Sequence, residues 1–240
     1  MGGNLSVYVA GTDQRIKVAA PSAGGQGFRT VPWELLPQQR RRTPHGDMRI
    51  FRNTLGFQSY APHIKAPLLW LGATDDFHGI MDATYRTGDL ISKVAVRRSF
   101  APHLNHRFTP AFAVTRPLWL DQHLKSGFQL PVTPTSGLSL VGQDGVPALQ
   151  VIPDQSKPVA QVCVYYSISP DPQARYWRSA DARQSGAVWN ANLPIMSAKR
   201  RLFAFANIHY RLTPPEPFQF ARPTRTFAIS SSLHTATPEA

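Results

Sequence analysis

The chain has 240 residues, 42% of them apolar, and 26 Lys and Arg against 14 Asp and Glu give it a formal charge of +12 with a pI near 10.4. That length holds one large domain or two modest ones, and no run approaches the roughly 20 consecutive apolar residues of a membrane span. The single cysteine, Cys163, excludes an internal disulfide, and the only compact basic run, Arg40, Arg41 and Arg42 between Pro37 and Pro44, argues for a solvated loop and against a nucleic-acid reader.

In chain order, Met1 to Ala10 (MGGNLSVYVA) predicts a short buried helix entered through glycines and stopped by Gly11-Thr12-Asp13. Arg15 to Ala20 (RIKVAA) reads as a short strand. The stretch PSAGGQG, followed by Pro32, Pro37 and Pro44, marks a loop-rich segment of the kind that covers an active site, and Asp47 to Tyr60 is amphipathic enough for a helix. Pro67 to Ala73 (PLLWLGA) is a continuous apolar run, which suits a strand buried on both faces of a parallel sheet; Asp75 and Asp76 follow its carboxyl end. A helix over Met81 to Ile91, a strand over Lys93 to Phe100, the loop APHLNHRF and a helix over Pro110 to Leu124 complete the pattern. The alternation predicts an α/β fold, the last part of a doubly wound sheet.

Near Pro131 helical periodicity gives way to short strands separated by Pro, Gly, Asp and Ser, which sets a domain boundary between 1–130 and 131–240. Val162, Val164, Tyr166 and Ile168 alternate with other residues, as do Leu202, Ala204, Ala206, Ile208, Tyr210 and Leu212. That period predicts an antiparallel β-sandwich. The small, polar tail beyond Ser230 is expected to fray.

In open α/β sheets ligands sit beyond the carboxyl ends of strands, which gives weight to the titratable residues found there. Asp75-Asp76 and, 30 positions beyond Asp76, His106 occupy two such places in order. A carboxylate that orients an imidazole, and an imidazole that takes a hydroxyl proton, are the last two members of a Ser-Asp-His triad. Ser22 follows a strand, but glycines and Pro32 come after it where an elbow serine needs a helix, so it reads as a loop residue. His78 with Asp75, Asp76 and Asp82 lacks any zinc-type spacing, so no metal is expected. Trp177, Trp189, Tyr165, Tyr166 and Phe205 could form a glycan-stacking face, but strand aromatics more often build a core.

The opening Met1-Gly2-Gly3-Asn4-Leu5-Ser6 resembles the second half of a Ser-Met-Gly-Gly nucleophile elbow running into its helix. With RIKVAAPSAGG, APLLWLGATDDFHG, FAPHLNHRF and an Arg-Pro-Leu-Trp helix, residues 1–125 resemble the acetylxylan esterase, cephalosporin deacetylase and dienelactone hydrolase-like branch of the α/β-hydrolase superfamily. The segments VCVYYSISPDPQARYWRSA and RLFAFANIHY are similar to the β-sandwich of the PhoPQ-activated pathogenicity-related group.

This resemblance implies a partial α/β-hydrolase domain over 1–130 followed by a sandwich over 131–240. It maps Asp76 onto the acid of a Gly-Thr-Asn-Asp-Phe pattern, with Asp75 as the alternate acid. It maps His106, rather than His103, onto the base of an Asn-x-Asn-His ending. The serine nucleophile would precede Met1, and the amide of Met1 would be one oxyanion donor. The implied parent activity is serine-dependent, cofactor-free hydrolysis of acetyl or similar small esters, on carbohydrate or a related scaffold, in a group whose members are often exported. Without its nucleophile the chain itself is expected to be inactive, and an upstream chain would supply the missing half and cover an otherwise open strand edge. The alternatives are a peptidase-like α/β-hydrolase and a non-catalytic sandwich that binds a partner.

Overall fold

The computed structural model describes residues 1–28, 46–125, 127–142, 145–213 and 223–239; the basic run and Pro32, Pro37 and Pro44 lie outside them. Helix α1 (Gly2–Thr12) buries Val7 and Ala10. Gly3 serves close packing: a Cβ there would stand 2.5 Å from the carbonyl oxygen of Ser22. The helix expected over 47–60 is broken. Asp47 caps α2 (Met48–Ile50) by accepting from the amides of Arg49 and Ile50, a π-helical turn occupies Phe51–Leu55, and α3 (Phe57–Tyr60) restarts after an extended Gly56.

Strands β1 (Leu68–Ala73) and β2 (Val96–Ala101) pair in parallel, from Leu68 opposite Val96 to Ala73 opposite Ala101. Helix α4 (Met81–Gly88) forms the crossover between them, and α5 (Pro110–Ala113) and α6 (Thr115–Leu124) follow. Every residue of β1 is buried. Leu68 and Trp70 pack with Val7, Ala10, Phe57 and Ile64, whereas Leu69 and Leu71 enter a cluster with Leu118 and Trp119. A strand covered on both faces has no polar side to show, and hence the unbroken apolar run.

The expected RIKVAA strand shrinks to one isolated bridge, Ala19 to Leu68, with a second, Ser22 to Leu71, just beyond it. Ala19 and Ala23 donate to Pro67 and Leu71 on β1. The bond between them in that ladder would need an amide at position 21, and proline has none.

Beyond residue 131 the chain forms two antiparallel sheets. One has the order β10 (Thr226–Ser230), β9 (Leu202–Arg211), β5 (Val159–Ser167), β6 (Arg178–Ala180), with β11 (His234–Ala236) also on β9. The other runs β3 (Thr135–Ser139), β4 (Ala148–Ile152), β8 (Val188–Asn192), β7 (Arg183–Ser185). Leu149, Val151 and Ala191 of one sheet share a core with Val162, Val164, Ala204 and Ile208 of the other, and that same core reaches Leu69, Leu71 and Trp119 before residue 131. The tail past Ser230 is ordered as β11, with His234 opposite Ala204.

These strands overturn the expected fold class. The described residues are 30% strand and 23% helix, the helices are short and the larger sheets are antiparallel, so this is not a doubly wound α/β fold. The parallel sheet stops at two strands because β10 and β9 occupy the far side of β2. The outward amide of Phe100 donates to Ser230 Oγ (2.8 Å), its carbonyl accepts from Asn207 Nδ2 (3.0 Å), and Ser99 Oγ donates to the Ala228 carbonyl (2.7 Å). Side chains do there what a further parallel strand would do, and the apolar surface of the pair closes on the sandwich. Among the described residues no helix is long and apolar enough to cross a membrane.

Candidate active site

Two parallel strands in register end together, so the loops after Ala73 and Ala101 leave the sheet side by side. They are laced to each other: the Thr74 amide donates to the Ala101 carbonyl, the Asp75 amide to the Leu104 carbonyl, and the His103 amide to Thr74 Oγ1 at 2.9 Å. His103 carries a φ of 57° there, a left-handed conformation that a non-glycine residue adopts when surrounding bonds hold it. Asn105 Oδ1 accepts from the His106 amide at 2.8 Å and from the Phe77 amide at 3.4 Å.

This lacing brings Asp76 and His106 together. Nδ1 of His106 lies 3.1 Å from Oδ1 and 3.0 Å from Oδ2 of Asp76. The Asp76 side chain is wholly buried, while that of His106 is 44% exposed. Oδ1 also accepts from the amides of His78 (2.7 Å) and Gly79 (2.8 Å). Buried carboxylates persist when such donors replace their water. Gly79 permits the turn, since a Cβ would meet the Ala23 backbone at 2.9 Å and Asp76 Oδ2 at 3.1 Å. An aspartate on Nδ1 fixes the tautomer in which Nε2 carries the lone pair, the form that accepts a proton. Phe77 lies face-on to the imidazole at 5.6 Å, and His78 meets it edge-on at 5.4 Å.

Of the adjacent carboxylates, Asp76 meets the imidazole. Asp75 is half-buried, its Oδ1 has no hydrogen-bond partner, and desolvation pushes its carboxyl up to about 6 against the pull of the Thr74 hydroxyl, His103 and Arg175. His103 stacks edge-on against Tyr165 instead of joining the pair. Ser22 donates to the Ala20 carbonyl and accepts from Arg116; its hydroxyl does not hydrogen-bond His106, and the described residues directly after it, to Phe28, form no helix. Met1 is the N-cap of α1. The first turn of α1 packs on the Ser22–Gly24 backbone, which adjoins Ala23, Gly79 and Asp76. The positive end of that helix dipole therefore abuts the site.

Among the described residues no His, Cys, Asp and Glu group could hold a metal. Asp82 is engaged elsewhere, in a two-pronged ion pair with Arg175 (2.8 Å each). The supposed stacking aromatics belong to the interior: Trp177, Phe205, Tyr165 and Tyr166 are buried, and Trp189 packs on the core. Reasoning from sequence passed over Thr74, Phe77, Gly79 and Asn105. Asn105 stands next to His106 within the Asn-x-Asn-His pattern and was open to detection; the other three act through backbone geometry that no spacing rule encodes.

Comparison with protein-family models, with curated proteins and with solved structures found no match.

Proposed function

We propose that Asp76 and His106 are the acid and base of a serine-type site that hydrolyses carboxylic esters. The observation that carries this reading is the imidazole held through Nδ1 by both oxygens of a buried carboxylate, with Nε2 lacking any protein partner among the described residues. No hydroxyl or thiol among the described residues hydrogen-bonds that Nε2, so the reading calls for a serine that would donate to it without assigning one. The start of α1 would serve the oxyanion, because its backbone amides and helix dipole favour developing negative charge.

In this mechanism His106 Nε2 takes the serine proton as Oγ attacks the ester carbonyl. The tetrahedral intermediate expels the alcohol, which takes that proton from the imidazolium. Water, deprotonated by the same nitrogen, then cleaves the acyl-enzyme to release the acid and restore the serine. Asp76 holds the ring and offsets its positive charge throughout.

The test uses protein from its native source, treated with a fluorophosphonate probe and assayed on p-nitrophenyl acetate. Labelling and turnover should both occur, and turnover should fall about 10³-fold or more in Asp76→Asn and His106→Ala versions of the native gene. Absent labelling, or activity indifferent to both substitutions, would falsify the reading.

A further inference from the structure

A cleft of about 580 Å3 is lined by His103, Tyr166, Tyr176, Trp177, Arg178 and Ser179. One wall belongs to the loop that carries His106 three residues further on. The other is formed by β5, β6 and the connection between them. Gln173 Nε2 on that connection donates to the Phe77 carbonyl at 2.9 Å, and Phe77 stacks on His106. The cleft thus shares one loop with His106, and the connection beside it is tied to the ring stacked on the imidazole.

Its polar groups are mostly donors. Trp177 is 1% exposed, and its Nε1 has no hydrogen-bond partner, a deficit that a buried N–H ordinarily avoids. Arg178 is exposed, and among the described residues its guanidinium contacts only the weak acceptor Sδ of Met196 and the ring of Tyr176. The rings of His103 and Tyr176 are also exposed. The Tyr166 hydroxyl is already committed to the Pro194 carbonyl. An unpaired indole N–H and a guanidinium among aromatic rings suit a flat anion, because carboxylates take charge-assisted bonds from arginine while rings stack on rings.

We propose that this cleft binds the carboxylate of an aromatic acid, so that the substrate is an ester whose aromatic part bears a free carboxylate. The assignment of substrate class rests on the ester hydrolysis proposed above. The binding site itself is testable without turnover.

The experiment titrates the ¹⁵N-labelled 240-residue chain with sodium benzoate, with benzamide as the neutral control, following the Trp177 indole and His103 ring signals by NMR. Benzoate should shift both signals saturably, benzamide should bind at least about tenfold more weakly, and Arg178→Gln should weaken benzoate about tenfold. Equal shifts from the two compounds, no shift at all, or an Arg178→Gln curve matching the wild type overturns the proposal. No benzoate binding with intact fluorophosphonate labelling removes the site and its substrate class and leaves the hydrolysis. Benzoate binding without labelling removes the hydrolysis and leaves the site.

Discussion

The parallel pair β1–β2 and the antiparallel sheets satisfy their backbones in different ways. In sheet β10-β9-β5-β6 the central strand is satisfied by ladders on both edges, with β9 paired to β5 on one side and to β10 and β11 on the other. The parallel pair has one ladder between its two strands. The far edge of β2 is met by side chains, Asn207 and Ser230, that belong to the antiparallel sheet. An arginine from the sandwich, 1% exposed at its side chain, is likewise neutralised by Asp82 on α4 of the parallel half. The half that carries Asp76 and His106 thus borrows its polar closure from the half that does not.

Breaking that junction should have the largest effect. Asp82→Asn strands the Arg175 guanidinium between Phe203 and Trp177, and removal of one partner of a buried pair costs about 3–5 kcal/mol. Urea denaturation should show that loss, and the double variant Asp82→Asn/Arg175→Met should regain part of it.

Next in size, Asn207→Leu leaves the Phe100 carbonyl without its donor and strands the Ser230 hydroxyl that now donates to Asn207 Oδ1. The expected cost is about 2–3 kcal/mol. If the comparison holds, amide hydrogen exchange should quicken more in β1 and β2 than in the β5–β9 ladder.

The smallest effect sharpens the contrast inside the site itself. Asp75 keeps its proton to about pH 6 in the folded chain, against an ordinary value of 3.8, so the folded state binds more protons in that window. Stability contributed by the protonated form is therefore present below pH 3.8 and lost as pH rises towards 6. Asp75→Asn should leave stability unchanged near pH 3.5 and raise it by about 1 kcal/mol above pH 6, a figure reduced because the group is half-exposed. Thermal melts across pH 3.5–7.5 check the sign.

How far each element was legible follows from what its signal depends on. The periods of β5 and β9 and the unbroken run of β1 report burial directly, and burial is what hydrophobic spacing encodes. The 47–60 stretch had helical spacing, but Gly56 interrupts it and tertiary contacts split it into turns. The tail looked frayed because small polar residues lack a burial signal, yet β9 offers it an edge. His106 is legible from its place after a strand and Asn105 from the pattern that ends in His106, while Thr74, which pins the loop, bonds to a backbone amide that leaves no spacing to read.

The sequence by itself determined where strands could lie, that two of them end in Asp75-Asp76 and in the His103–His106 loop, and that one cysteine bars a disulfide. These are consequences of composition and of period, properties that survive without knowing any neighbour. Only the tertiary structure decided between Asp75 and Asp76, because the choice rests on which carboxylate receives the His78 and Gly79 amides and the imidazole. It also decided the fold class, since Phe100 could be closed by a further parallel strand or by Ser230 and Asn207. Those partners lie more than 100 residues away, and contacts at that separation depend on how the whole chain packs.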